Sequence, residues 1–388
     1  MVVTAGTLPL VAVADPAGMP SRYRVTAQLI FRETGGKPLR ITNMKVTVSS
    51  PGGWSTTVGN ACDFTVPGLG TANQTLTTTI DGGTAASALW RLTLTALDER
   101  GKASEINALD ADLQFPAAAS TAPAVMVGAG DIARCDTPST EATARLLARI
   151  PGTVFTLGDN VYPKSTPELL ATCYEQTWGR EKWRTYATPG NHDWEQSSGQ
   201  PYFAYFGAGA GPPGLGYYSY SLGGWHIVSL NSNVPAGPGS PQYEWLKRDL
   251  TESAAACTLA MWHHPLFSSG PNGNSSQMRE AWRLLQRFGA DVVLSGHDHD
   301  YERFAPQDAD GHATPTGIRQ FVVGTGGYSL YERASQQPNS ELWENHTPGV
   351  IKLTLKSGSF DWEFVPIDGQ SFRDVGSAQC DATRALER

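Results

Sequence analysis

The sequence predicts two domains: an N-terminal all-β sandwich, then an α/β domain whose mixed sheet is covered by helices. Three observations predict this. The chain has 388 residues, beyond the roughly 100–200 of a single domain. Residues 20–115 alternate apolar and polar positions in short runs, as in Tyr23-Arg-Val-Thr-Ala-Gln-Leu-Ile-Phe31, the period of half-buried strands. Beyond residue 123, short apolar runs alternate with helical patterns instead.

The first domain is placed at residues 1–116. Its runs are punctuated by Thr34-Gly-Gly36, Ser50-Pro-Gly-Gly53, Asp81-Gly-Gly83 and Glu99-Arg-Gly101, the turn chemistry of an all-β fold. It contains no histidine and no acidic cluster, so a structural or binding module is expected. Residues 117–123 are small and proline-bounded and read as a linker. The second domain spans 124–370, and 371–388 read as a C-terminal tail. Within the second domain Ala124–Val127, Thr153–Leu157, Thr185–Pro189, Cys257–Trp262 and Val292–Leu294 are apolar runs. Helices are expected near Thr140–Ile150, with Ser139 or Thr140 as N-cap, near Pro167–Gln176 and near Gln277–Phe288. Hairpins are expected at Tyr217–Leu230, turned at Gly223-Gly224, and at 350–366, turned near Ser357-Gly358.

A net charge of −8 and no basic stripe speak against a nucleic-acid partner. No run reaches the ~20 apolar residues of a membrane span. Met1–Ala17 is mildly apolar but has no basic start, unlike a signal peptide. Of the five cysteines, none forms a C-x-x-C pair, which rules out a zinc ribbon. Cys135 and Cys173 each follow a motif run and are read either as a bridge or as separate buried thiols.

Chemistry gathers at the run ends. The first gives Gly130-Asp131, and the second Gly158-Asp159-Asn160-Val161-Tyr162. The third gives Gly190-Asn191-His192-Asp193, the fourth His263-His264-Pro265, and the fifth Gly296-His297-Asp298-His299. Strand ends are where α/β folds build sites. Carboxylate, amide oxygen and imidazole suit divalent zinc, manganese or iron, and a phenolate favours ferric iron. One carboxylate can bridge two ions about 3.5–4 Å apart, the spacing that serves phosphate-ester cleavage. The glycines before Asp131, Asp159, Asn191 and His297 are expected to let the backbone turn sharply.

The ordered set GD, GDNVY, GNHD, HHP and GHDH resembles the calcineurin-like metallophosphoesterases. The tyrosine of GDNVY and the trailing DYER are similar to the purple acid phosphatase branch. The resemblance implies a β-sandwich flanked by helices, an N-terminal fibronectin-like domain, and hydrolysis of phosphate esters by a hydroxide bridging two metal ions. It assigns Asp131, Asp159, Tyr162 and His299 to a first ion, Fe3+ by its phenolate. It assigns Asp159, Asn191, His263 and His297 to a second, Zn2+, Mn2+ or Fe2+. His192 is placed by the phosphate with Asp193 orienting it. His264 is read either as a group beside the leaving group or as a packing histidine. The branch has histidine in the loop after HHP. Here Phe267–Asn274 has none, and Asn272 is the best positional match.

The implied substrate is a small phosphate ester, and the implied location is secreted or periplasmic. Asp298 and Asp300 are expected to point away from the ions, with Tyr301-Glu302-Arg303 holding the loop. Asn345-His346-Thr347 is a formal glycosylation triplet, and His226 is expected to pack within its hairpin. A metallo-β-lactamase reading fails because Tyr301 and Glu302 follow Asp300 where that pattern requires an acid and then an imidazole. The alternative function is a phosphoesterase-shaped binding protein without activity.

Overall fold

The computed structural model describes residues 3–7, 10–14, 22–33, 37–49, 55–67, 71–81, 87–98, 100–114, 123–253 and 255–381. The chain divides into two compact units, Met1–Ala118 and Ala119–Arg388.

The first unit is all β: β1 (Val3–Thr7), β2 (Leu10–Ala14), β3 (Arg22–Glu33), β4 (Leu39–Ser49), β5 (Ser55–Val66), β6 (Thr71–Asp81), β7 (Ser87–Leu97) and β8 (Ala103–Gln114). The strands form one hydrogen-bonded path, β1-β3-β2-β8-β7-β4-β5, with β6 on β3. The alternation is explicit on β7, where Leu92, Leu94 and Ala96 are buried between half-exposed threonines. The path folds over on itself: Phe31 of β3 meets Phe64 of β5 at 5.2 Å. At the β7–β8 turn, the Asp98 carboxylate accepts from Arg100 N and Lys102 N. The turns expected at 34–36, 50–53 and, Asp81 apart, 81–83, and the linker, Pro123 apart, lie outside the described residues.

The second unit adds β9 (Ala124–Ala129), β10 (Thr153–Thr156), β11 (Thr185–Tyr186), β12 (Tyr218–Leu222), β13 (Trp225–Ser229), β14 (Cys257–Met261), β15 (Val292–Ser295), β16 (Tyr301–Phe304), β17 (Arg319–Val323), β18 (Ser340–Glu344), β19 (Gly349–Lys356), β20 (Ser359–Pro366) and β21 (Val375–Gln379). Its α-helices are α1 (Pro138–Arg149), α2 (Pro167–Leu169), α3 (Asn191–Trp194), α4 (Gln200–Phe206), α5 (Pro241–Glu252) and α6 (Arg279–Arg287). There are two sheets, where the run pattern alone suggested one central sheet. One is ordered β11-β10-β9-β19-β20-β21, the other β12-β13-β14-β15-β17-β16-β18. The physical reason is visible in the central strands, which are buried on both faces. Trp225, Ile227, Leu259, Met261, Val292, Leu294, Phe321 and Val323 join the cluster that holds Met126, Phe155, Ile351 and Leu353 of the other sheet. The alternate residues Val228, Ala260, Val293 and Val322 pack with Leu246 and Leu250 of α5 and Trp282 and Leu285 of α6. A run apolar on both faces does not say which face meets a sheet.

Local departures have equally local causes. α1 starts at Pro138, two residues before the expected range, because proline is pre-set for a first helical position. Thr137 is its N-cap, and Thr140 instead donates its hydroxyl to Ile132 O at 3.0 Å. The helix expected at Pro167–Gln176 is a short α2 that widens into a π turn at Leu170–Tyr174. Val375–Gln379, which the sequence left in a tail, pairs antiparallel with β20. Cys380 beyond it is bonded to Cys257, Cys135 is bonded to Cys173, and Cys62 is a free thiol.

Candidate metal centre

Parallel strands from both sheets deliver their C-terminal ends to one place. Past β9 and β10 the two segments stay zipped: Asp131 N donates to Gly158 O, Ile132 N to Asp159 O and Tyr162 N to Ala133 O, at 2.8–3.0 Å. This fixes Asp131, Asp159 and Tyr162 relative to one another. β14 runs directly into His263, and β15 into His297 and His299. Asn191 opens α3 just after the short β11.

The first half-site is a crowd of acceptors. Tyr162 OH lies 2.8 Å from Asp131 Oδ1, 3.0 Å from Asp159 Oδ2 and 3.1 Å from His299 Nε2. His299 Nδ1–H donates to Ser329 O at 2.8 Å, which leaves a lone pair on Nε2 of the neutral ring. One hydroxyl proton cannot serve three acceptors. The second half-site repeats the pattern. His263 Nδ1–H donates to Leu157 O at 2.7 Å, and its Nε2 faces Asn191 Oδ1 at 3.1 Å, His297 Nδ1 at 3.2 Å and Asp159 Oδ2 at 3.3 Å. Asp131, Asp159 and His263 each offer a ligand atom, all within 4.8 Å of one another. Asp159 touches both halves. A histidine whose far nitrogen donates to a backbone carbonyl is the usual support of a metal ligand, so these residues fit a pair of cations.

The electrostatics ask for positive charge. Burial opposes the His263 imidazolium, but the charge and hydrogen bond of Asp159 and the charge of Asp131 push it up to about 9. Burial favours a neutral Asp159, yet His263 and His192 outweigh it and hold the carboxyl well below its usual range. Burial, then the charges of Asp131 and Asp159, raises the Tyr162 phenol far above its ordinary value.

The glycines act differently from expectation. Gly158 alone among the four has a positive φ, 89°; the left-handed backbone falls on the site residues themselves, Asp131 (60°), Asp159 (51°) and His297 (72°). Each such residue costs about 1–2 kcal/mol, a strain that surrounding contacts must hold in place. The other glycines provide space. A Cβ on Gly190 would stand 2.1 Å from Asp159 Oδ1, and one on Gly296 2.6 Å from Asp131 Oδ2.

Of the remaining sequence candidates, His192 stands at the rim, its side chain 31% exposed and its Nε2 3.8 Å from Asp159 Oδ2. Its Nδ1 donates to Pro163 O at 2.6 Å. Asp193 does not orient it. That carboxylate is fully buried and accepts from Gly190 N, Asn160 N, Asn160 Nδ2 and Ser165 Oγ. It ties two site loops together, because the first turn of α3 directs it inward. Asn272 is exposed and its amide donates to His297 O at 2.9 Å. His264 lies beside the second half-site, its ring 4.4 Å from that of His297. Asp298 holds the Ser268–Gly273 loop, Asp300 accepts from Trp343 Nε1, and Glu302 accepts from Ser269 and Ser340. His226 is buried against Asp249.

Two sets of neighbours escaped the sequence reading. β17 ends in Gly324-Thr-Gly-Gly-Tyr328, a sixth run end of the same kind. Tyr328 stacks on Tyr162 at 4.1 Å, and Tyr331 on His299 at 3.8 Å. β13 ends in Asn231-Ser-Asn233, and Ser232 reaches His264. The signal, an apolar run followed by glycine or small polar residues, was present in both.

Residues 125–301 match the calcineurin-like phosphoesterase family. Purple acid phosphatase 15 of Arabidopsis thaliana is 32% identical over 158 residues, 39% of this chain and 29% of that one. Purple acid phosphatase 21 of the same plant is 36% identical over 139 residues, 33% of this chain and 32% of that one. A probable cyclic nucleotide phosphodiesterase of Psychrobacter sp. (strain PRwf-1) is 30% identical over 151 residues, 37% and 41% of the two chains. The match thus spans well under half the length of these relatives. Among solved structures, a purple acid phosphatase from yellow lupin (Lupinus luteus) seeds superposes with a TM-score of 0.65 at 17% identity, over 94% of this chain and 73% of that one. At that identity the likeness is one of fold.

Proposed function

We propose that this chain, which carries a calcineurin-like phosphoesterase domain over residues 125–301, is a phosphoric ester hydrolase working with two metal ions. The observation that carries the reading is the twofold crowding of acceptors around Tyr162 and around His263, with Asp159 common to both. Asp131, Asp159, Tyr162 and His299 would hold one ion, and Asp159, Asn191, His263 and His297 the other. Tyr162 favours ferric iron in the first position, and the imidazole-rich second position suits Zn2+, Mn2+ or Fe2+. Bound there, such ions supply an acidified water and neutralise phosphate charge.

The chain's own residues do the rest. Asp131 and Asp159, held by the zipped loops, set the spacing between the two half-sites. The backbone carbonyls of Leu157 and Ser329 aim the rings of His263 and His299 by fixing their Nδ1 protons. His192, at the rim and within reach of a bound ester, has its Nδ1 proton held by Pro163 O, so in its imidazolium form its Nε2–H is the group able to hand a proton to the leaving oxygen. The two disulfides support an oxidising location, secreted or periplasmic.

The test is elemental analysis joined to turnover of nitrophenyl phosphate and bis-nitrophenyl phosphate, with a visible absorbance scan for a phenolate–ferric band. The parent protein is expected to carry two metal equivalents and hydrolyse at least one ester, and Asp159→Ala to lose metal and turnover together. Two equivalents retained in Asp159→Ala refute the shared ligand. A parent with two equivalents and no turnover of either ester supports the inactive binding protein instead.

A further inference from the structure

Ser232 is fully buried and its loop is pinned from three sides. Asn231 N donates to Gln242 Oε1 at 2.7 Å, while Gln242 Nε2 returns a bond to Asn231 O at 3.0 Å. Asn231 Nδ2 donates to Leu215 O at 3.0 Å. Asn233 Nδ2 donates to Gly190 O at 3.2 Å, on the loop that bears Asn191. So held, Ser232 Oγ accepts from His264 N at 3.1 Å and stands 2.8 Å from His264 Nδ1.

His264 is placed with His263 and His297: one ring nitrogen of each lies within 4.8 Å of the other two. By position alone it has the makings of a third imidazole ligand. The partner at Nδ1 argues otherwise. His263, His299 and His192 each face a backbone carbonyl there. A carbonyl can only accept, so those rings, when neutral, carry their proton on Nδ1 and keep a lone pair on Nε2. His264 faces a hydroxyl. Among the described residues, Ser232 Oγ has no hydrogen-bond partner besides His264. If the ring donated to it, the buried hydroxyl proton would be left unpaired, at the full desolvation cost of that group. Buried polar groups are satisfied as a rule, so the serine donates and His264 Nδ1 accepts. A neutral ring then has its proton on Nε2.

We propose that Ser232 fixes His264 in the Nε2–H form, and that this N–H is a hydrogen-bond donor for a phosphoryl oxygen of the substrate rather than a metal ligand. The proposal rests on the phosphoesterase reading. It gives the site a donor on the side where the Phe267–Asn274 loop offers no imidazole and where the Asn272 amide is already engaged with His297 O. Ser232 is a positioning residue, acting only through the ring.

Zinc-loaded protein with 15N-labelled histidine tests the tautomer directly. His264 is expected to show an unprotonated Nδ1 and a protonated Nε2, and Ser232→Ala to abolish that preference. Inorganic phosphate, titrated into the same metal-loaded protein, tests the donor. His264→Ala should keep both metal equivalents and bind phosphate about ten- to a hundredfold more weakly, the range for one bond to a charged group. His264→Gln, whose amide nitrogen reaches as far as Nε2, should recover part of that affinity, and His264→Asn should not. A protonated Nδ1, loss of a metal equivalent in both His264→Ala and His264→Gln, or unchanged phosphate affinity in His264→Ala overturns the proposal. A parent protein that takes up neither metal nor phosphate overturns the hydrolase reading itself.

Discussion

Gly190→Ala tests whether the glycines at the strand ends exist to let carboxylates in. Gly190 has φ −95°, which any L residue adopts, so the substitution adds no backbone strain. Its new methyl would lie 2.1 Å from Asp159 Oδ1, 2.3 Å from Asp159 N and 2.8 Å from Asp159 Cγ, where real Cβ contacts essentially never fall below 3.0 Å. The carboxylate must retreat by about 0.9 Å, the shortfall of its nearest atom. Ligand distances at a metal hold to within about 0.2 Å, so the shared ligand is displaced several times further than the site tolerates. The same shift breaks the bond from His192 N to Asp159 Oδ1, now 2.9 Å. Overpacking of this kind costs about 1–3 kcal/mol of stability. The expected outcome is a folded protein with a lowered melting temperature, fewer than two metal equivalents, and turnover reduced at least a hundredfold, on the order of one lost acid–base or ligand group. Gly358→Ala is the control. It sits at φ 79° with nothing within 4 Å, so it pays about 1–2 kcal/mol of strain and should keep metal and activity. Gly190→Ala with two metal equivalents and turnover within twofold of the parent refutes the reasoning.

Other consequences are as direct. Asp300 is buried with no partner for Oδ1, and burial, then the charges of Glu302 and Asp298, raises its carboxyl well above the usual range. Such an acid favours the fold below its unfolded value, about 3.9, and loses that contribution as pH climbs through the folded one. Asp300→Asn should therefore melt higher than the parent at pH 7 and approach it near pH 3; a pH-independent difference contradicts this. The Cys257–Cys380 bond closes 123 residues and Cys135–Cys173 closes 38. On loop entropy their removal costs about 5 and about 4 kcal/mol, so serine pairs should lower the denaturation midpoint in that order. Asn345 is 5% exposed and donates its amide to Tyr331 O at 2.8 Å. Expression in a glycosylating host should add no sugar mass there, and a glycopeptide spanning Asn345 would disprove the burial.

The site was legible where its chemistry is local. Asp131, Asp159, Asn191, His263 and His297 each follow an apolar run within a few residues, because a strand that ends at a sheet's edge must present its next side chains there. What those residues touch was legible only in part. Asp193 reads like a partner of His192, yet the first turn of α3 sends it into the interior. The segments of Tyr328 and Ser232 carry the same run-end signal, but a tyrosine or serine there is ordinary chemistry, and its role shows only when its neighbour is known.

The sequence by itself determined the strand-and-helix alternation, the all-β first unit, and the ordered donors, since period and residue chemistry are properties of short windows. Only tertiary structure decided which strands join which of the two sheets, that Val375–Gln379 is a strand rather than a tail, and which glycines yield room rather than rotation. Those outcomes depend on distances between segments far apart in the chain, and a one-dimensional pattern holds no record of them.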